Sequence, residues 1–250
     1  MTMGQLPAQD TLFTDRPTVT FSPNTMPKGW LQVETGFQYQ ISDFDPSRTL
    51  NPALKTEDFL YNSTLIRYAL TNFLELRLTQ DLVGDRLKQN GEIINRTDAS
   101  FSPTRVGVKY NFLGAKNGQI LAILANYAPR FFSDTSEDYL ELLFLFHSPI
   151  FKRFGFDYNI GWDFSDGLSS PRFKYSILIS KSMTKRISAY AEVFGLVPKQ
   201  APNQFNYDLG LMYLINNTFQ IDAYAGAGFS DFSPNFIFGF GLSKLFLPNQ

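Results

Sequence analysis

The stretch Leu31-Gln32-Val33-Glu34-Thr35-Gly36-Phe37-Gln38-Tyr39-Gln40-Ile41 alternates from end to end. Leu31, Val33, Thr35, Phe37, Tyr39 and Ile41 share one side, and Gln32, Glu34, Gly36, Gln38 and Gln40 share the other. A repeat of two held over eleven residues is strand geometry, because helix faces repeat every 3.6 residues.

The pattern recurs along the chain. Leu74, Leu76 and Leu78 alternate with Glu75, Arg77 and Thr79; Val106, Val108, Tyr110 and Phe112 alternate with Arg105, Lys109 and Asn111. Phe156, Tyr158, Ile160, Trp162 and Phe164 are set against Asp157, Asn159, Gly161 and Asp163, and Phe236, Phe238, Phe240 and Leu242 against Gly239, Gly241 and Ser243. Predicted strands lie at 29–41, 58–70, 73–83, 101–112, 119–128, 139–148, 156–164, 172–182, 187–196, 205–214, 218–228 and 236–246.

Connections alternate as well. Those at 71–72, 113–118, 149–155, 183–186 and 215–217 are short, whereas those between them, such as 42–57 and 84–100, are mostly longer and polar. Short turns at one end and long loops at the other are the signature of an outer-membrane barrel, and a soluble sandwich gives no reason for it. The expectation is an all-β, up-and-down antiparallel barrel of twelve strands, with both termini periplasmic.

Composition agrees. The 250 residues carry a formal charge of −1, no cysteine and 16% aromatics, including 26 Phe and 12 Tyr, at a mean hydropathy of −0.15. Balanced charge with no basic cluster argues against a nucleic-acid partner. The chain has no apolar run long enough for a transmembrane helix. Residues 1–5, Met-Thr-Met-Gly-Gln, lack the charged start and apolar core of a signal peptide, so an exported chain would have lost its signal. Aromatics flank the short turns (Tyr68, Phe73, Tyr110, Phe112, Phe156, Tyr213, Phe219, with Trp30 and Phe246) and the long loops (Tyr39, Phe164, Phe173, Tyr207, Phe236). They read as two girdles about a Leu/Ile/Val/Ala band. Lys181 and Lys244 have outward parity near strand ends, where a Lys stem can lie on lipid and the ammonium reach water.

Three segments carry a family likeness: Thr14-Asp15-Arg16-Pro17; Pro27-Lys28-Gly29-Trp30-Leu31-Gln32-Val33-Glu34-Thr35-Gly36-Phe37; and Ile66-Arg67-Tyr68-Ala69-Leu70-Thr71-Asn72-Phe73-Leu74-Glu75-Leu76-Arg77. Together with Ala189-Tyr190-Ala191-Glu192 they resemble the phenol-degradation meta-pathway family of bacterial outer-membrane proteins. The resemblance implies a transporter-type barrel in the outer membrane of a Gram-negative bacterium, without catalytic residues or cofactors. Leu247-Pro248-Asn249-Gln250 departs from the aromatic end of such barrels, unless Phe246 takes that place and 247–250 is an extension.

Enzyme chemistry finds little support. The one histidine, His147, precedes Ser148, but neighbours on a strand point to opposite faces, and a barrel lipase needs its Ser and His together on the lipid side. Gly226-Ala227-Gly228 is followed by neither a helix nor a Lys, so it is no phosphate loop. No His cluster suggests a metal site.

The inward charges are more informative. Arg67, Arg77, Arg105 and Lys109 fall on predicted strands 2, 3 and 4; Glu192, Asp208 and Asp222 fall on strands 9, 10 and 11, where the ninth lies across from the third and the tenth from the fourth. In a closed ring of twelve, that places a basic lumen wall opposite an acidic one. Two readings stay open: salt bridges across the lumen that stiffen the barrel, or a transverse field in a water-filled constriction. Residues 1–28 are polar and punctuated by proline. They either hang in the periplasm or fold into the lumen as a partial plug, with Asp15 and Arg16 meeting the charged walls. The domain reading is thus 1–28 extension, 29–246 barrel and 247–250 tail. The expected function is a narrow channel or transporter for small solutes, aromatic or hydrophobic ones among them, set against a structural barrel that docks a protein partner. Membrane lipid and lipopolysaccharide would surround either one.

Overall fold

A computed structural model describes residues 12–43, 54–116, 118–129, 138–151, 154–165, 168–199, 202–230 and 233–248. Its strands are β1 (Leu31–Asp43), β2 (Leu54–Ala69), β3 (Leu74–Gln89), β4 (Glu92–Phe101), β5 (Arg105–Lys116), β6 (Gln119–Ala128) and β7 (Tyr139–Phe151). They continue as β8 (Phe154–Ser165), β9 (Ser170–Ser182), β10 (Ile187–Pro198), β11 (Gln204–Asn216), β12 (Phe219–Gly228) and β13 (Phe236–Phe246). All the pairings are antiparallel between neighbours. The order β2-β1-β13 down to β5-β3, with a further β2–β3 pairing, closes twelve strands into a ring. Closure is decisive for a wall in lipid, since it leaves no backbone edge without a hydrogen-bond partner. Twelve antiparallel strands and closure are as the sequence reading has them.

The thirteenth strand corrects one expectation. Residues 84–100, read above as a loop, continue β3 outward and return as β4, which among the described residues pairs only with β3. Asn90 and Gly91 make the turn with φ of 51° and 89°, the Asn-Gly chemistry of a tight hairpin. Every residue of β4 is exposed, so neither of its faces is apolar, and hydrophobic periodicity carries no trace of it. β5 takes over as β3's partner at Thr79↔Arg105. The β2–β3–β4 sheet therefore projects past the wall at the long-loop end.

Outward residues of the wall are exposed and apolar: Leu76 and Leu78 on β3, Val106 and Val108 on β5, Ile177 and Ile179 on β9, Leu209 and Leu211 on β11. At the short-turn end, Phe73, Tyr110 and Phe112 form edge-to-face pairs at 5.6 and 4.9 Å. Nearby, the ammonium groups of Lys181 and Lys244 lie 4.9 and 6.0 Å from the rings of Phe154 and Phe219. At the long-loop end Trp162 meets Phe173, Tyr39 meets Phe59, and Tyr207 meets Phe229. The band between is not purely aliphatic, because Phe37 and Phe240 pair in mid-wall at 5.4 Å.

Inward residues are buried by the chain itself. Residues 12–30 enter at the short-turn end, where the Leu12 N–H donates to Asn217. They cross the lumen and return to the same end, where the Thr25 hydroxyl donates to the Asn72 carbonyl and the Gly29 N–H to Ala69. Leu12 and Met26 pack there with Ala69 and Leu245. Residues 1–11 of the N-terminal extension, 44–53 of the first long loop and the last two of the tail lie outside the described residues.

Candidate functional site

The lumen holds six charged side chains in one cluster. Arg67 comes from β2, Glu75 and Arg77 from β3, Lys109 from β5, Glu34 from β1, and Asp15 from the inserted segment. Period-two geometry aims each of the strand residues inward. All are at most 5% exposed, and three cations face three carboxylates. Removing one member of such a buried set leaves an uncompensated charge, which typically costs about 3–5 kcal/mol.

The cations converge on Asp15. Arg77 Nη1 lies 2.5 Å from Asp15 Oδ2, Lys109 Nζ 3.4 Å and Arg67 Nη1 3.7 Å. The other Asp15 oxygen accepts from the Ser22 N–H at 2.9 Å. Arg67 also donates to Glu34 and to Glu75, each at 2.8 Å, and to the Phe13 carbonyl at 2.8 Å. Lys109 donates to the Ser22 and Asn24 carbonyls at 2.8 and 3.2 Å. Glu34 accepts from the backbone N–H groups of Asp15 and Arg16 and from the Thr14 hydroxyl.

On the far side the segment meets the acidic residues. Arg16 Nη2 lies 3.3 Å from Asp222 Oδ1. Its guanidinium sits over Gly36 and Gly241, cross-strand partners; a Cβ at either place would run into it. Glu192 accepts from the Val19 N–H at 2.9 Å, from the Thr20 N–H at 2.5 Å and from the Thr20 hydroxyl. Phe21 trades backbone hydrogen bonds with the Asn159 side chain. Asp208 is 1% exposed, and neither of its carboxylate oxygens has a hydrogen-bond partner among the described residues.

The structure therefore brings Arg67, Arg77 and Lys109 together on one side, and Glu192, Asp208 and Asp222 on the other. Among the described residues the two groups do not touch. Residues 15–20 lie between them. Arg105 stands apart, bridged to Asp81 at 2.6 Å. Sequence reasoning missed the compensating acids Glu34 and Glu75 as members of the cluster. It also missed a second inward set, in which Lys174 pairs with Glu141 at 2.5 Å and Arg172 with Asp163 at 2.6 Å. The signal was available, since all six have inward parity. His147 faces the lumen near the short-turn end, with Nδ1 2.9 Å from Asp157 Oδ1.

Space remains on either side of the segment. A cavity of about 550 Å³ at the short-turn end touches Thr14, Arg16, His147, Asp157, Tyr190 and Gln220 among others. Two of about 290 Å³ lie toward the long-loop end, one beside Asp208, Asn206 and Tyr224, the other beside Arg77, Phe21 and Tyr139.

A family model described as "Putative MetA-pathway of phenol degradation" matches residues 14–246. No curated protein sequence matches the chain significantly. Among solved structures, the COG4313 outer membrane channel from Pseudomonas putida F1 superposes with a TM-score of 0.73 at 10% identity, covering 89% of this chain and 97% of that one. The translocator domain of autotransporter NalP from Neisseria meningitidis gives 0.59 at 11%, covering 88% and 89%. The CymD monoaromatic hydrocarbon channel gives 0.51 at 11%, covering 90% of each chain. At these identities the likeness is one of fold, that of an outer-membrane barrel, and the family match takes in the inserted residues from Thr14 onward.

Proposed function

The chain belongs to the MetA-pathway of phenol degradation family, and from that premise we propose that it is an outer-membrane channel for small solutes whose narrowest point is made by its own residues 12–30. One observation carries this reading: a polar segment crosses the lumen between charged walls, with cavities open on both sides. A barrel serving only as a scaffold could fill its interior with apolar side chains, as small barrels do. Here part of the interior is apolar, with Leu124, Leu143 and Leu145 packed beside Phe21, but it also holds a set of charges whose burial is costly unless each is paired, and part of that pairing is supplied by Asp15 and Arg16 of a segment that is not part of the wall.

Both ends of that segment lie at the short-turn end. It can leave in that direction without threading. We place the short turns in the periplasm, in keeping with the usual arrangement of such barrels, and the β2–β4 projection outside the cell, among lipopolysaccharide. The basic and acidic walls would then act on a polar solute as a transverse field. Aromatic solutes are within this reading, as CymD is a monoaromatic hydrocarbon channel, and the cavity beside Phe21 and Tyr139 offers ring surfaces. No catalytic role is assigned to His147, whose partner Asp157 is not joined by a nucleophile on the lipid face.

The test is planar-bilayer recording of the wild type and of a form lacking residues 1–28, each checked for heat-modifiable gel mobility. A rise in conductance on deletion supports the reading. A folded deletion form that does not conduct ends it. The alternative is an accessory barrel that docks a protein partner. It is favoured by the projection, where Ile93, Ile94 and Phe101 are 51%, 53% and 72% exposed.

A further inference from the structure

We infer that Arg77 and Lys109 form a binding site for an aromatic monocarboxylate, which the chain's own Asp15 occupies as a tethered stand-in. The inference rests on residues 12–30 being displaceable, and it names a solute class for the channel.

Three cations approach one Asp15 oxygen, at 2.5, 3.4 and 3.7 Å. A carboxylate is therefore the species this pocket is built around. Asp15 is not part of the wall, however. It arrives on a segment that precedes the wall and runs into β1 at Leu31. Without it, three wall cations would face only Glu34 and Glu75, leaving one positive charge and a space of carboxylate size.

Arg77 is the group left unfinished. Arg67 forks Glu75 through Nε and Nη2, at 2.8 and 3.0 Å. Among the described residues, Arg77 engages Asp15 and Glu75 through Nη1 alone, and its buried Nε has no hydrogen-bond partner. A planar guanidinium is suited to two-point capture of a carboxylate, and the tether denies Asp15 that geometry. A free carboxylate can take it.

Access and the remainder of the ligand follow from the same cavity. Arg77 lines the space of about 290 Å³ that also touches Phe21 and Tyr139, and its guanidinium lies 5.2 Å from the Phe21 ring centre. A ligand with its carboxylate on Arg77 would set an aromatic body beside these rings. The opposite vestibule, with Asp208 at its lining, would repel the same anion.

The test uses full-length protein in detergent, with Asp15→Ala to vacate the site and sodium benzoate as the probe. The readout is the melting of the heat-modifiable folded band. Benzoate should raise the midpoint of Asp15→Ala with the logarithm of its concentration. At a hundred times its Kd, the folded-to-unfolded ratio should rise about a hundredfold. Wild type, where tethered Asp15 competes for the site, should respond only at higher benzoate concentrations, and Arg77→Met in the Asp15→Ala background should remove the response. Benzylammonium, with the same ring and opposite charge, should have no effect. If Asp15→Ala gives no folded band, Asp15→Asn carries the same titration. The proposal is overturned if a folded variant ignores benzoate, if wild type responds equally, or if benzylammonium matches it. Binding here requires no conduction. A benzoate response in a barrel that never conducts sinks the channel and keeps the site, whereas conduction without a response does the reverse.

Discussion

Arg67 holds Glu75 in a two-point fork across the β2–β3 hairpin, Nε to Oε1 at 2.8 Å and Nη2 to Oε2 at 3.0 Å, with both side chains fully buried. Neither residue is the other's direct cross-strand partner, since Arg67 is opposite Arg77 and Glu75 opposite Ala69. Two arginines on adjacent strands are thereby set face to face in the lumen. Glu75, which Arg77 also touches at 3.1 Å, is the anion between them.

Removing that anion should be costly. Glu75→Ala leaves two opposed guanidinium groups with less counter-charge, and the loss should be about 3–5 kcal/mol, the range for breaking a buried pair. Thermal or urea unfolding followed by gel mobility measures it. Arg67→Lys should also destabilise, because an ammonium cannot reproduce the fork. Wild-type stability in either variant would mean the cluster is wet and weakly coupled.

The two faces of β3 predict opposite tolerances. Leu76 is 41% exposed on the outer wall, and Leu76→Arg should cost about 2–4 kcal/mol if it lies near mid-bilayer. Thr79 lines a lumen cavity, so Thr79→Arg should be milder. Refolding into vesicles at a series of urea concentrations compares them, and equal penalties would contradict the face assignment.

Ion selectivity should follow the cluster once residues 1–28 are removed. Three cations then face Glu34 and Glu75, which favours anions. Arg77→Ala with Lys109→Ala leaves one cation against the same two acids and should turn the preference toward cations. Fixed charges act over about 8 Å at physiological ionic strength, so the shift in reversal potential should shrink as salt is raised. Selectivity unmoved by the double substitution would place the constriction elsewhere.

The projecting hairpin should be dispensable for the barrel. β5 pairs with β3 from Leu74 to Thr79, and β4 takes up β3 only beyond that, from Leu82 outward. Replacing residues 86–100 by a short turn should leave the folded band and its melting as in wild type. Lost folding would show that β4 supports the wall. Lost association with a partner, with folding intact, would support the docking alternative.

The alternation at 31–41, repeated around the chain, determined the strands, their inward and outward faces and the antiparallel order. The reason is physical: period two and loop length are written along the chain locally, and a wall in lipid tolerates few departures from them. β4 escaped because solvent on both faces removes the alternation, although Asn90-Gly91 offered a hairpin signal. The parity of Arg67, Arg77 and Lys109 was likewise readable, as was that of Glu192, Asp208 and Asp222. The sequence leaves open what occupies the space between them, residues 1–28 in the lumen being one of two alternatives. That Asp15 meets Lys109, and Arg16 meets Asp222, depends on bringing together residues far apart in sequence. Ring closure and the path of an irregular segment decide such contacts, and no periodicity encodes them. Only the tertiary structure turns two charged walls into a filled lumen, because buried ions need partners and two of those partners, Asp15 and Arg16, came from outside the wall.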